Sequence, residues 1–120
     1  MPAKVPPGAV TGLGVDLAEV ARVRRLAANP RFLKKVFTPV ELAYAGKSAN
    51  RFERLAARFA VKEAVIKALD AKSLPLNSIE VENTDSGRPQ VRVKGRPRAR
   101  LLVSISHTAD YTVAAVIAFA

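Results

Sequence analysis

The 120-residue sequence lacks cysteine and tryptophan, has one histidine, and contains half as many acidic as basic residues. Without cysteine, the sequence excludes disulfide frameworks, thiolate zinc sites, cysteine nucleophiles and iron–sulfur clusters. A single histidine also excludes a multi-histidine metal site. No apolar run approaches the roughly 18 residues of a membrane span, and the N-terminus has no signal-peptide core. We therefore expect a soluble, cytoplasmic protein without membrane contact.

The positive charge is concentrated in two stretches. The formal net charge is +10, and residues 22–35 and 88–100 each contain six basic residues and no acidic one. This pattern favours polyanionic partners, namely nucleic acid, a phosphorylated cofactor or an acidic protein. For either stretch taken alone, a solvated surface is the simpler explanation.

The length and composition indicate one globular domain. Apolar residues make up 49% and charged residues 25% of the chain, which is typical of a globular fold of about this size. Prolines at positions 2, 6 and 7, with Gly8, oppose regular structure at the start. We expect a flexible lead-in over residues 1–8 and a single domain over residues 9–120.

Helical and extended patterns follow one another along the chain. They predict strands over residues 9–17, 79–83, 90–94, 101–106 and 111–119, helices over 17–28, 39–46 and 50–69, and one or two helical turns over 31–37. The helix at residue 39 has a clear start, because Thr38, Pro39 and Glu41 match a capping box with proline at the first position. The order predicts an α+β domain with an antiparallel sheet.

Glu63 lies in the middle of the apolar face of the helix predicted over residues 50–69. A carboxylate there costs several kcal/mol of desolvation unless a cation or hydrogen-bond donors meet it. Two interpretations remain open at this point: an internal ion pair with Lys67, four residues on, or a metal ligand at the edge of the core.

Three cations form a stripe along the same helix at a spacing of four residues: Arg54, Arg58 and Lys62. Like charges at this spacing repel one another. The stripe therefore suggests that something anionic lies along it.

Asp16 and His107 are further candidates, although each has a plain structural interpretation. Asp16 stands between the first predicted strand and helix, where it could be an N-cap with Glu19 completing a capping box. Together with Glu63 it could instead bind Mg²⁺, which takes one or two carboxylates and completes its shell with phosphates and water. His107 ends a predicted strand, where a lone histidine is usually structural. Gly12 and Gly14 form no phosphate-loop pattern.

Three sequence blocks occur in order from about residue 10 to the C-terminus: Gly12-Leu-Gly-Val-Asp-Leu17, Arg58-Phe-Ala-Val-Lys-Glu-Ala-Val-Ile-Lys67 and Val103-Ser-Ile-Ser-His-Thr108. Together they resemble the holo-[acyl-carrier-protein] synthase family, the short bacterial type of 4′-phosphopantetheinyl transferase. Each block alone is a weak signal, whereas the three in this order are highly specific. The resemblance implies a ferredoxin-like α+β domain of the phosphopantetheinyl transferase fold.

The resemblance also implies roles for individual residues. The Mg²⁺ ligands would be Asp16 and Glu63. The residues that hold coenzyme A would be Arg58, Lys62, Lys67, His107 and Thr108. The residues that dock the acidic carrier protein would be Arg22, Arg24 and Arg25.

The implied reaction transfers the 4′-phosphopantetheine arm of coenzyme A to a serine of apo acyl carrier protein and releases adenosine 3′,5′-bisphosphate. Lys62 would stabilise the charge that builds on the transferring phosphate. The catalytic base stays open among a metal-bound water, Glu63 and His107. Family members form homotrimers with active sites between protomers.

One departure from the family pattern concerns the adenosine 3′-phosphate. Where the family often has a G-T-G loop, this chain has Leu69-Asp-Ala-Lys-Ser73. Without the glycines the backbone cannot approach phosphate as closely, which predicts weak discrimination against dephospho-coenzyme A.

The alternative function is a small basic nucleic-acid-binding protein. The aromatic content of 6% argues against it, because RNA-binding surfaces combine aromatic with basic side chains.

Overall fold

The computed structural model describes residues 5–120. Among these residues strand β1 (Val10–Glu19) is followed by four helices and four strands: α1 (Val20–Leu26), α2 (Pro30–Val36), α3 (Pro39–Gly46), α4 (Arg51–Leu69), β2 (Ile79–Asn83), β3 (Pro89–Val93), β4 (Arg100–His107) and β5 (Tyr111–Phe119). A 3₁₀ turn (Leu76–Ser78) precedes β2. The predicted α+β class is confirmed. The first half of the predicted lead-in, residues 1–4, lies outside the described residues, and residues 5–8 belong to no helix or strand.

The strands form two antiparallel sheets, where the sequence predicted one. Strand β5 lies between β1 and β4, and β2 pairs with β3 in a separate hairpin. The chain leaves β3 through two consecutive turns, in which Arg96 N donates to Val93 O at 3.0 Å and Ala99 N to Arg96 O at 3.1 Å. Gly95, with a φ of +81°, and Pro97, without an N–H, prevent the ladder from continuing into β4.

Helix α4 lies across the three-stranded sheet and forms the centre of the core. Its buried face is built largely of small residues, and the same helix contacts α1, α3 and β2. The small residues allow the backbone of β1 to approach closely. No helix among residues 5–120 is long and apolar enough to cross a membrane.

The capping box predicted at the start of α3 is confirmed. Thr38 N donates to Glu41 Oε1 at 2.9 Å, and Glu41 N donates to Thr38 Oγ1 at 3.3 Å. The segment predicted as one or two helical turns is helix α2, whose 7 residues make about two turns. Asn29 caps α2 by accepting from Arg31 N at 2.9 Å, and Pro30 occupies its first position.

Candidate active site

Two carboxylates lie near each other where β1 packs on α4. Asp16 extends from β1 and Glu63 from α4, and both side chains are half-buried. Burial raises the pKa of Glu63 and the Asp16 carboxylate raises it further, whereas Lys67 and Arg22 lower it. The structure thus brings together two acidic and two basic residues that the sequence singled out.

Asp16 and Glu63 form the carboxylate cluster, and Lys67 contacts its Asp16 member directly. Its Nζ donates to Val15 O at 2.9 Å and lies 3.4 Å from Asp16 Oδ1. An ion pair between Glu63 and Lys67, one of the two interpretations of Glu63, does not form among residues 5–120. The Lys67 side chain is 54% exposed, so its ammonium can also bind an incoming anion.

The interpretation of Asp16 as a helix cap is wrong. Strand β1 continues to Glu19, and Asp16 pairs with Ala114 of β5 inside the sheet. The residue at the N-cap of α1 is Glu19, whose side chain makes no capping hydrogen bond. Pairing with β5 extends the strand by two residues beyond the prediction and delays the start of the helix. Asp16 therefore has no capping role.

Lys62 lies in the core, on a different face of α4 from Glu63. Its side chain is 0% exposed, with Nζ 2.7 Å from Glu41 Oε1. The ammonium also donates to the main-chain oxygens of Leu76, at 3.0 Å, and of Ile79. Burial lowers the pKa of Lys62, and the Glu41 carboxylate opposes that shift. All three protons of the ammonium are used inside the core. This geometry makes Lys62 part of the core through its pair with Glu41, and its catalytic and coenzyme A-binding roles stay predictions.

A cavity of about 460 Å³ opens beside the N-terminal half of α4. Arg54 and Arg58 line it together with His107 from the end of β4. The cavity therefore unites two of the predicted coenzyme A-binding residues, Arg58 and His107. At 3.6 residues per turn, Glu63 lies about 140° around α4 from Arg58. This cavity, called the arginine cavity after Arg54 and Arg58, thus lies on a different face of α4 from the carboxylate cluster.

Thr108 stabilises the turn that follows His107. Its Oγ1 accepts from Asp110 N at 3.2 Å and from Tyr111 N at 3.1 Å. The hydroxyl therefore fixes the connection between β4 and β5, next to the histidine.

The three arginines predicted to dock a carrier protein lie on α1 and are exposed. Arg22 borders the carboxylate cluster, since it lowers the pKa of Glu63. Arg24 turns away from that cluster, with its Cζ 5.1 Å from the ring centroid of Phe52. Only part of the predicted docking set therefore borders the carboxylates.

Sequence reasoning missed the roles of Glu41 and Tyr44. Beyond its capping box, Glu41 pairs with Lys62 and accepts from Val81 N at 2.9 Å. Tyr44 lies against the arginines of the cavity, with the Cζ atoms of Arg54 and Arg58 each 4.2 Å from its ring centroid. The signal that could have found these two residues was the repulsion expected along the stripe of Arg54, Arg58 and Lys62. Each of these cations needed a partner, and the sequence did not identify which residue supplies it.

The sequence profile described as the 4′-phosphopantetheinyl transferase superfamily matches residues 12–116. The chain belongs to this superfamily. The match includes both carboxylates of the site and the histidine of the cavity. The predicted family is thereby confirmed, and with it the class of enzyme, a phosphopantetheinyl transferase.

Relatives and solved structures within this superfamily support the same assignment. The holo-[acyl-carrier-protein] synthase of Thermodesulfovibrio yellowstonii is 46% identical over 111 residues, which cover 90% of this chain and 97% of the relative. That of Chlamydia trachomatis is 42% identical over 120 residues, covering 89% and 98%. The crystal structure of the holo-(acyl-carrier-protein) synthase from Bacillus anthracis, in complex with CoA (3′,5′-ADP), has a TM-score of 0.82 at 29% identity and covers 92% of this chain and 97% of that one. The predicted phosphopantetheinyl transferase fold is confirmed, and these comparisons do not support the nucleic-acid alternative.

Proposed function

We propose that the chain transfers the 4′-phosphopantetheine arm of coenzyme A to a serine of apo acyl carrier protein and releases adenosine 3′,5′-bisphosphate. The observation that carries this proposal is the carboxylate cluster, with Asp16, Glu63 and Lys67 assembled at the contact of β1 and α4. It adjoins Arg22 at the exposed side of α1, where an acidic partner can approach.

The carboxylate cluster has the donors that Mg²⁺ prefers. Asp16 and Glu63 supply hard oxygen ligands, and Mg²⁺ bound through one or two carboxylates leaves positions for substrate phosphates. The raised pKa of Glu63 reflects a carboxylate that burial and Asp16 leave undercompensated, and a divalent cation would relieve this. When bound, Mg²⁺ supplies Lewis-acid polarisation of the pyrophosphate.

The residues of the chain then divide the remaining work. Lys67 holds a pyrophosphate oxygen of coenzyme A by its exposed ammonium. Arg58 and His107, which line the arginine cavity, hold another part of coenzyme A. The serine oxygen attacks the phosphorus that bears pantetheine, the bond to the leaving phosphate breaks, and the serine proton passes to a base. Glu63 and His107 remain the candidate side chains for that proton.

Replacing Glu63 with glutamine should abolish most transfer, by about 100-fold or more, because the isosteric amide loses the anionic metal ligand. The melting temperature should stay the same or rise, since the substitution removes a half-buried charge beside Asp16. Scanning calorimetry with coenzyme A should also show that the Mg²⁺-dependent rise in melting temperature is lost. Glu19→Gln, at an exposed glutamate on β1, the strand that carries Asp16, is the control. Wild-type turnover in the Glu63 variant would refute the ligand assignment.

The assembly we propose is a homotrimer formed through the outer face of the three-stranded sheet. That face exposes a continuous set of large apolar side chains, unusual for a monomer: Leu13 (63%), Val15 (50%), Leu17 (63%), Leu102 (45%) and Val113 (37%). Contact between copies would cover this apolar face. It would also allow the arginine cavity of one protomer to lie beside the carboxylate cluster of the next. Such an arrangement matches the active sites between protomers that the family resemblance implies.

Native mass spectrometry tests this assembly. Leu17→Glu should convert the trimer to monomers with loss of transfer. Val40→Glu adds the same charge at a 53%-exposed valine away from this face, and it should remain trimeric. A wild-type monomer with full activity would exclude the proposed assembly.

The carrier protein is proposed to dock on α1 by charge complementarity. Arg25→Glu should raise KM for the carrier by roughly three- to ten-fold, most strongly at low salt, because exposed charge pairs steer encounter and are screened by salt. KM for coenzyme A should stay unchanged. Arg98→Glu, in the other basic stretch, is the control. A raised KM for the carrier in Arg98→Glu and an unchanged one in Arg25→Glu would move the docking surface to residues 88–100.

The transfer itself is tested by incubating the protein with coenzyme A, Mg²⁺ and an apo carrier protein. Intact-mass spectrometry should show that the carrier gains one phosphopantetheine group. No mass gain with apo carriers of either the fatty-acid or the polyketide type would reject the proposed function.

A further inference from the structure

Both basic stretches of the sequence contribute to one groove that the proposed function does not use. Lys34 comes from the first stretch and Arg96 from the second. The groove consists of two adjoining cavities of about 780 and 630 Å³, here called the basic groove. The residues that line both cavities are Thr38, Asn77, Ser78 and Lys94. Among residues 5–120, those lining the basic groove all differ from those of the arginine cavity and the carboxylate cluster.

Hydrogen bonds between distant segments hold the walls of the basic groove in place. Asn77 Nδ2 donates to Lys34 O at 3.2 Å, which joins the 3₁₀ turn to α2. Lys94 N donates to Ser78 O at 2.8 Å, which joins the end of β3 to the same turn. The two consecutive turns that follow β3 form a further wall of the larger cavity. Because these walls are already formed, a partner can bind with little loss of entropy in the groove itself.

The basic groove carries uncompensated positive charge. Among residues 5–120, four cations and one carboxylate line it. The carboxylate is that of Glu80, which already pairs with Arg92 at 3.3 Å. No ion pair of the described residues includes Lys34, Lys94 or Arg96, and all three are exposed. The field of these three cations attracts an anionic partner.

Apolar residues line the same two cavities. Pro39 and Leu42 belong to the smaller one, and Val91 and Pro97 belong to the larger one. Among residues 5–120, the one aromatic residue of the lining is Phe37, which is 2% exposed. A nucleic acid therefore finds no open ring on which to stack a base. A planar lipid surface cannot enter a concave groove. Cations beside apolar walls fit a protein segment in which carboxylates and apolar side chains lie close together.

We propose that the basic groove binds an extended acidic segment of a partner protein other than the carrier. The carboxylates of the segment pair with Lys34, Lys94 and Arg96, and its apolar side chains enter the two cavities. In an extended segment, side chains two residues apart point the same way and are separated by about 7 Å, which suits two adjoining cavities. This inference does not depend on the proposed function, because it uses none of the residues assigned to transfer or to carrier docking.

Fluorescence anisotropy with labelled synthetic peptides tests the inference directly. The first probe alternates glutamate with leucine over about eight residues, and the second replaces each leucine with glycine at the same charge. The wild-type protein should bind the glutamate–leucine peptide at least about ten-fold more tightly, because only leucine buries apolar surface in the cavities.

Two matched pairs of variants locate the binding site. Lys34→Glu should weaken binding of the glutamate–leucine peptide by about three- to ten-fold. Lys35→Glu, in the same last turn of α2 but outside the lining of the groove, should leave it unchanged. Arg96→Glu and Arg98→Glu should differ in the same way, since Arg96 alone of the two lines the groove. Both members of a pair change the net charge equally, so net charge cannot explain a difference between them.

Several outcomes would overturn the inference. Equal weakening within each pair would reduce the groove to a general positive surface, and absence of binding at about 1 mM peptide would exclude the site. Tighter binding of a single-stranded DNA octamer than of the peptide would assign the groove to nucleic acid. Displacement of the peptide by apo carrier protein would make the groove part of carrier docking. Melting curves identify any variant that unfolds, and Lys34→Gln, which removes the charge without reversing it, then replaces Lys34→Glu.

Discussion

Lys62→Met should lower the free energy of unfolding by about 3–5 kcal/mol, because it leaves the Glu41 carboxylate buried without its cation. Both side chains of the pair are 0% exposed, so water cannot replace the lost partner. Urea unfolding followed by circular dichroism measures the loss. Methionine preserves the volume of the lysine stem, so a packing defect contributes little.

A second substitution distinguishes the ion pair from other effects at this position. Glu41→Gln removes the uncompensated charge yet keeps an oxygen that can accept from Thr38 N. In the Lys62→Met background it should therefore restore part of the stability, with a coupling energy of about 1–3 kcal/mol. A coupling near zero would contradict the structural role of the pair. Full stability of Lys62→Met together with lost turnover would instead return Lys62 to the catalytic role expected from the sequence.

Gly14→Ala should prevent folding altogether or destabilise the protein by more than about 4 kcal/mol. A Cβ at this position would lie 1.8 Å from the main-chain oxygen of Ala64 in α4. No side-chain rotation relieves a contact with backbone, so β1 would have to move away from α4. That movement would also separate Asp16 from Glu63. Gly12→Ala should behave alike, since its Cβ would lie 1.7 Å from Ala68 O.

Gly46→Ala is the matched control for these glycines. Gly46 ends α3, and a Cβ there would meet nothing within 4 Å. Alanine should therefore leave stability unchanged or raise it by up to about 1 kcal/mol, because glycine loses more backbone entropy in a helix. Thermal unfolding of both variants provides the comparison. Equal stability of Gly14→Ala and the wild type would mean that β1 and α4 pack less closely than the structure indicates.

Local patterns predicted much of the fold. The bounds predicted for β2 and β5 agree with the observed strands, and α4 differs from its prediction by one residue at the start. Each of these elements has a strong local signal: apolar and charged residues alternate in β2, β5 is an almost continuous apolar run, and α4 is a long run of helix-forming residues. The boundary between β1 and α1 failed, because pairing with β5 outweighs the helical periodicity that starts at Leu17.

The sequence by itself determined the family, the class of fold and the two carboxylates of the site, because each is carried by residue type and by spacing along the chain. Only the tertiary structure decided how the stripe of cations divides. Arg54 and Arg58 line a cavity beside Tyr44, whereas Lys62 is buried against Glu41. The physical reason is that helical spacing gives the direction of a side chain but not what packs there. A cation becomes a ligand-binding group or part of the core according to whether a carboxylate from a distant segment reaches it.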